Sequence, residues 1–225
     1  FMEPLVDDIG SFPLPTTVKR ETYDKAYRLA CEKLTKGEDI SCDEFIQKNF
    51  CEVTLDSFCK KIETGLDIIN TPWHYDGINQ VSDVVHKSMQ IGTFLADEKE
   101  AFFPEIRVIE KQTKMLSEKY GKKIKLRACF FGPMEQYLAE IEIKIYRDVL
   151  DCYAETIRRF AKNSIVNSKY IETKVVSIDE PSFGINNILT TSDVFCEVME
   201  KAFDFQGAIK QIHLHSTTRV PDLLC

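Results

Sequence analysis

The residues best suited to chemistry are two histidines, His213 and His215, near the end of the run Ile209–Thr217. This run is typical of a buried strand, and in a strand the i, i+2 spacing places both imidazoles on one face. Imidazole is a common metal ligand and the side chain that titrates closest to neutral pH. The spacing alone favours two interpretations equally: a metal or catalytic site, and a hydrogen-bonded pair at the edge of a core.

Polar residues also follow other apolar runs of the chain. Gly10 and Ser11 close the first run, and Asp179 and Glu180 end a later one. The segment Thr71–Gly77 holds the only tryptophan and follows another run, which predicts either a binding loop or a surface cap. A purely structural interpretation remains open as well, in which Asp179 caps a turn and Ser11 closes a loop.

Apolar runs alternate with amphipathic patterns of helical period, and these elements must position the polar residues. The predicted strands lie at residues 5–10, 66–70, 124–131, 174–179 and 209–215. The predicted helices lie at residues 19–35, 41–65, 104–120, 146–166 and 192–205. This alternation predicts an α/β fold with parallel strands. The polar residues then gather at the strand ends, where α/β barrels and doubly wound sheets hold their active sites.

Composition excludes several functional classes. The chain has 225 residues and 44% hydrophobic content, enough for one large domain, which we place at residues 2–225 because Phe1 precedes Met2. A net charge of −7, with lysines interspersed among acids, indicates that the chain does not bind nucleic acid. No run approaches the roughly 20 apolar residues of a membrane span, and no signal peptide is recognisable, so we expect a cytoplasmic protein without a membrane partner. The eight cysteines form no CxxC pair and are predicted to be mostly reduced core thiols.

Taken together, five segments resemble the catalytic barrel of cobalamin-independent methionine synthase, in order and in rough spacing across essentially the whole chain. The segments are Asp8-Ile9-Gly10-Ser11-Phe12-Pro13, Gly65-Leu66-Asp67-Ile68-Ile69, Phe131-Gly132-Pro133, Ser177-Ile178-Asp179-Glu180-Pro181 and Gln211-Ile212-His213-Leu214-His215. The resemblance implies a (β/α)8 TIM barrel of the methionine synthase and uroporphyrinogen decarboxylase type. Because the chain starts directly at the barrel, it resembles the short archaeal-type form without the N-terminal domain.

The resemblance also implies a reaction. In that family a zinc-bound homocysteine thiolate attacks a methyl group, which is carried by methyltetrahydrofolate or, in the short relatives, by a methylcorrinoid on a corrinoid protein. His215 falls on the family's first zinc ligand, and Asp179, with Glu180 beside it, falls on the acid that binds the substrate's amino group. Ser11, with Gly10, falls on the loop that binds the substrate's carboxylate. The chemistry is sensible, because zinc converts a thiol that is mostly protonated at neutral pH into a thiolate.

The sequence departs from the family pattern at four places. The family acid expected shortly after the second strand is missing, because Trp73 or its neighbours occupy that place. Thr217, a poor zinc ligand, stands where the family has a cysteine. Three alternatives stay open: His213 substitutes geometrically as a second ligand, zinc is bound differently, or zinc is not bound. Ala139 stands where the family has a tryptophan that helps to bind folate, which weakens the case for a folate donor. The chain ends about two βα units before such a barrel would close, and we expect truncation rather than a covering partner.

Two alternatives to a methyltransferase stay open. The first is a diverged barrel that binds a small ligand or a partner without zinc-dependent catalysis, and Thr217 supports it. The second is another enzyme of the same barrel superfamily, such as a decarboxylase acting on a tetrapyrrole. We rank it last, because neither the Ile178-Asp179-Glu180-Pro181 run nor the His213-Leu214-His215 run supports it.

Overall fold

The computed structural model describes residues 5–141, 144–183 and 192–216 of the chain. It has an α/β fold with a parallel sheet of strand order β1-β2-β3-β4, which confirms the predicted class. The strands are β1 (Ile69–Asn70), β2 (Ile124–Phe131), β3 (Ile171–Asp179) and β4 (Ile209–His213). The helices are α1 (Arg20–Thr35), α2 (Glu44–Ile46), α3 (Glu52–Glu63), α4 (Gly77–Met89), α5 (Pro104–Tyr120), α6 (Pro133–Ile141), α7 (Arg147–Asn163) and α8 (Ser192–Ala202). No helix within these ranges is long and apolar enough to cross a membrane.

The chain divides into two compact units, which we describe separately. The first unit comprises Phe1–Asp76, Phe103–Cys129 and Ser164–Val175. The second comprises Gly77–Phe102, Phe130–Asn163 and Val176–Cys225. The interpretation of residues 2–225 as a single domain stays a prediction.

Helices α1 and α5 of the first unit form where their apolar periodicity predicts them. Helix α1 buries Tyr23 and Ala26, residues one turn apart on the same face. Helix α5 has Pro104 at its first position, where no backbone N–H is needed, and it ends at Gly121, whose φ of 65° is left-handed. These sequence signals therefore fix both the face and the ends of the helices.

The predicted helix 41–65 is present with two differences. It begins later, because the Asp43 side chain accepts a hydrogen bond from the backbone N–H of Ile46 and so caps the helix. It also contains a π-helical turn, Gln47–Cys51, between α2 and α3. The turn inserts extra backbone into the helical ladder while keeping Phe50 fully buried.

In the second unit, α7 packs against both α6 and α8. The Tyr137 hydroxyl on α6 donates to the carbonyl of Lys144 at 2.6 Å and accepts from the N–H of Tyr146 at 2.8 Å. This buried tyrosine ties α6 to the segment that leads into α7. Helices α4 and α6 were not predicted from the sequence.

The predicted strand 5–10 is wrong in the described structure, where it is reduced to a single parallel bridge between Asp7 and Ile68. Aspartate side chains take backbone donors that a ladder would otherwise use. The Asp67 carboxylate accepts from the N–H of Val6, and the Asp7 carboxylate accepts from the N–H of Asp8, both at 2.8 Å. Such side-chain bonds to backbone donors compete with regular pairing.

The histidine strand also differs from its prediction. Strand β4 is half-exposed rather than buried, and Ile209 at its start is 54% exposed. It ends at His213, so that His215 lies beyond it. Within the described ranges β4 pairs only with β3 and is an edge strand of the sheet.

The cysteine prediction holds in part. The seven cysteines within the described ranges form no disulfide with one another. Only Cys51 and Cys129 are buried, however, and Cys42 is exposed. The predicted core location therefore applies to two of them.

Candidate functional site

Asp179 and His213 form a carboxylate–imidazole pair in the second unit. Asp179 is the last residue of β3 and is only 4% exposed, and its Oδ2 lies 3.2 Å from Nδ1 of His213. The Ser177 hydroxyl donates to Oδ1 of the same carboxylate at 3.3 Å. A carboxylate bound to one ring nitrogen orients the imidazole and fixes which nitrogen carries the proton, here leaving Nε2 to accept a proton or bind a ligand.

The second histidine lies against the first. The ring centroids of His213 and His215 are 4.9 Å apart with an interplanar angle of 61°. His215 is exposed, whereas His213 is half-buried. The structure therefore brings Asp179, which the sequence singled out separately, to the histidine pair.

Glu180 is fully buried directly after β3, and its contacts are with the protein. Its Oε1 accepts from the N–H of Met134 and its Oε2 from the N–H of Glu135, both at 2.9 Å. These are backbone donors of the first turn of α6, which have no partner inside the helix. Burial raises the pKa of Glu180 to about 8, although the two N–H donors favour its charged form. The predicted role of Glu180 in substrate binding stays a prediction.

Gly132 makes this contact sterically possible. A Cβ at this position would lie 2.2 Å from Oε1 of Glu180 and 2.7 Å from Cγ2 of Ile178. The N–H of Gly132 also donates to the carbonyl of Asp179 at 2.7 Å. The glycine of the predicted Gly-Pro motif is therefore required by close approach of the Glu180 carboxyl group.

In the first unit, the Gly10–Ser11 loop is anchored to the end of β1. The N–H of Asn70 donates to Asp8 at 2.7 Å, and the Asn70 side-chain amide donates to the carbonyl of Gly10 at 2.9 Å. Gly10 has a φ of 93°, a conformation that favours glycine. Ser11 is exposed, and within the described part of the chain its backbone N–H donates to no protein acceptor.

His74 holds the next residue of this loop. Its Nδ1 donates to the carbonyl of Phe12, and its Nε2 lies 2.9 Å from the Ser57 hydroxyl, which is therefore the donor to the neutral ring. Burial is the largest cause that lowers the pKa of His74 to about 4. Trp73, beside it, is buried with a φ of 52°, so the alternative of a surface cap for Thr71–Gly77 is wrong.

Two buried cations of the first unit were missed by sequence reasoning. Lys61 is 5% exposed and lies 2.6 Å from Asp8, and Arg127 is fully buried and pairs with Asp7. Burial is the largest cause that lowers the pKa of Lys61, against the effect of Asp8. A usable signal was present, because Arg127 interrupts the apolar run of β2 at a position that the strand buries.

Within the described ranges, the histidine, cysteine and carboxylate side chains do not form a zinc site. No group of three or more histidine, cysteine, aspartate or glutamate side chains is placed there to hold a metal ion. His213 and His215 supply two imidazoles, and Nδ1 of the first is already engaged by Asp179. Zinc sites in proteins take three or four protein ligands, so these residues alone do not fit zinc. Thr217 lies outside the described residues.

The predicted site residues fall into two groups. Gly10 and Ser11 belong to the first unit, and Asp179, Glu180, His213 and His215 belong to the second. Comparison with known proteins gives no match to a family model and no significant match to a curated protein.

Proposed function

We propose that the chain is a cytoplasmic methyltransferase of the cobalamin-independent methionine synthase type, which transfers a methyl group to a thiol such as homocysteine. The five resembling segments support this proposal, and so does the α/β fold, whose parallel strands and intervening helices are compatible with part of a (β/α)8 barrel. The observation that carries the proposal is the buried Asp179 carboxylate at the end of β3, bound to His213.

The Asp179–His213 pair supplies chemistry that a thiol acceptor needs. A free thiol has a pKa near 8.5, whereas the thiolate is the nucleophile, so methyl transfer requires removal of a proton. With Nδ1 held by Asp179, Nε2 of His213 is the ring nitrogen that can take that proton. We derive no step through zinc, because the described donors do not fit it.

Substrate binding is proposed for the groups that the resemblance indicates. Asp179 can accept a charge-assisted hydrogen bond from an ammonium group. Ala139, an exposed residue of α6, supports a methylcorrinoid rather than methyltetrahydrofolate as the donor, and a corrinoid protein as the partner.

The test is methionine formation from homocysteine with methylcobalamin or methyltetrahydrofolate as the donor, measured by mass spectrometry. We expect turnover with methylcobalamin and a loss of about a hundredfold in His213→Gln, the lower range for removal of a general base. Glu172→Gln is the matched control, because this glutamate lies on β3 but pairs with Lys123 at the surface. Absence of product with both donors, or equal turnover in His213→Gln and wild type, contradicts the proposal.

A second candidate is a diverged barrel that binds a small thiol without zinc-dependent catalysis. Thr217 favours it, as does the absence of a group of three ligands among the described residues. In that case homocysteine binds, no product forms, and His215→Ala leaves the affinity unchanged. Calorimetry with homocysteine, run with and without added zinc, separates this candidate from the first.

A further inference from the structure

Three connections meet at the end of β3. The Glu180 side chain binds the first turn of α6, and the backbone N–H of Glu180 donates to the carbonyl of His213 at 2.9 Å. The N–H of Gly132 donates to the carbonyl of Asp179. Glu180 thus contacts α6 through its side chain and the histidine strand through its backbone.

The side-chain contact is closely fitted. Both carboxylate oxygens of Glu180 are used, one on Met134 and one on Glu135. The space that a Cβ of residue 132 would need is filled by the same carboxyl group. Glu180 therefore has little freedom to move unless Asp179, which precedes it, moves as well.

We propose that Glu180 is a positioning residue, which binds the N-terminus of α6 and so holds Asp179 against His213. The proposal rests on the proposed function only in the claim that this pair acts on a thiol. The contact geometry stands apart from that claim.

A helix cap alone does not account for this arrangement. A residue that only capped α6 could lie next to it in the chain, as Asp43 does for α2. Glu180 instead lies 46 residues from Met134 and directly follows the carboxylate that orients His213. Its replacement should therefore change the imidazole as well as the stability of α6.

The test uses Glu180→Gln, which keeps the size of the side chain but offers an amide N–H₂ where one helix N–H needs an acceptor. The first readout is the tautomer of His213, from ¹⁵N chemical shifts of histidine-labelled protein. We expect the Nδ1–H form to dominate in the wild type and the Nε2–H form to gain population in Glu180→Gln. The second readout is the Kd for homocysteine, which we expect to rise about tenfold, a change of about 1.4 kcal/mol.

Tyr137→Phe is the control, because it removes the bonds between α6 and the segment that leads into α7, and these bonds involve none of Glu180, Asp179 and His213. A further variant tests the contact from the opposite side. Gly132→Ala should shift the His213 tautomer in the same direction, because its methyl group would displace the Glu180 carboxyl group from its N–H donors.

The outcomes separate the two proposals. An unchanged His213 tautomer in Glu180→Gln, or the same change in Tyr137→Phe, overturns the positioning role. If the wild type binds no homocysteine, the proposed function fails, but the tautomer comparison still decides whether Glu180 positions the pair.

Discussion

His74 should make the stability of the protein depend on pH between about 4 and 6.5, the pKa values of the buried and the free imidazole. The ring is 4% exposed and lies between the Phe12 carbonyl and the Ser57 hydroxyl. Protonation would place a second N–H opposite that hydroxyl, in a buried position where Arg20 and Lys61 also disfavour positive charge. The perturbation we consider is His74→Asn, whose amide can still donate to Phe12.

The sign of the effect follows from proton binding. Between pH 6.5 and pH 4 the unfolded chain binds a proton at this histidine and the folded chain does not, so stability falls as the pH falls. Each pH unit across this interval corresponds to about 1.4 kcal/mol. From pH 7.5 to pH 4.5 the wild type should therefore lose about 2.5 kcal/mol of unfolding free energy through His74 alone.

Urea unfolding at pH 7.5 and pH 4.5 measures this loss. Other groups titrate in the same interval. The quantity to compare is therefore the unfolding free energy at pH 7.5 minus that at pH 4.5, measured in the wild type and in the variant. His74→Asn should reduce it by about 2.5 kcal/mol. His86→Asn, the same replacement of a half-exposed imidazole on α4, is the matched control. If the two variants give the same difference, the burial of His74 is not the cause and the reasoning is refuted.

Three further predictions concern buried groups. Gly132→Ala should lower the unfolding free energy by about 3 kcal/mol in urea titrations, because it both overpacks the site and displaces the Glu180 carboxyl group from its N–H donors. Burial raises the pKa of Glu105 to about 7, so this carboxyl group favours the folded state below its unfolded pKa of 4.5 and loses that effect as the pH rises through 7. Glu105→Gln should accordingly remove part of any fall in melting temperature between pH 5 and pH 8. Asp7→Asn should cost about 3 kcal/mol by leaving the fully buried Arg127 without its charge partner, and a cost below 1 kcal/mol would show that Arg127 has another one.

The long helices could be predicted because their signals are local. The apolar stripe of α1 and the proline and glycine at the ends of α5 are properties of neighbouring residues. Helix α4 was missed because the Thr71–Gly77 segment before it was interpreted only as a binding loop or a surface cap. Helix α6 was missed although Pro133 stands at its first position, where a helix needs no backbone N–H.

The strand 5–10 failed for a different reason. Its apolar composition is typical of a strand, but Leu5, Val6 and Ile9 are about half-exposed, and aspartate side chains satisfy its backbone donors. Hydrophobicity alone does not show which partner a backbone N–H will find. This depends on residues far away in the chain, such as Asp67, which lies 61 positions from Val6.

In the candidate site, too, contacts between neighbours in the sequence could be predicted, and contacts between residues far apart in the chain could not. His213 and His215 are two positions apart in the chain, so their proximity is local information that the sequence supplies. The pairing of Asp179 with His213 spans 34 residues, and the contact of Glu180 with α6 spans more. Such pairings depend on strand order and register, which neither periodicity nor composition reports.

Two roles are proposed for Asp179, and both use the oxygens of its carboxylate. The family resemblance implies that the carboxylate binds the ammonium of an amino-acid substrate. In the structure the carboxylate is bound to His213. Asp179→Asn keeps an oxygen for Nδ1–H of the imidazole but removes the charge that an ammonium needs. If ammonium binding dominates, the variant should lose about 10- to 100-fold in affinity for homocysteine, from a charged hydrogen bond of about 1.5–3 kcal/mol, and little for 4-mercaptobutanoate, which lacks the amine. If orientation of His213 dominates, both thiols should retain their affinity while methyl transfer slows equally for each, so the ratio between the two thiols decides between the assignments.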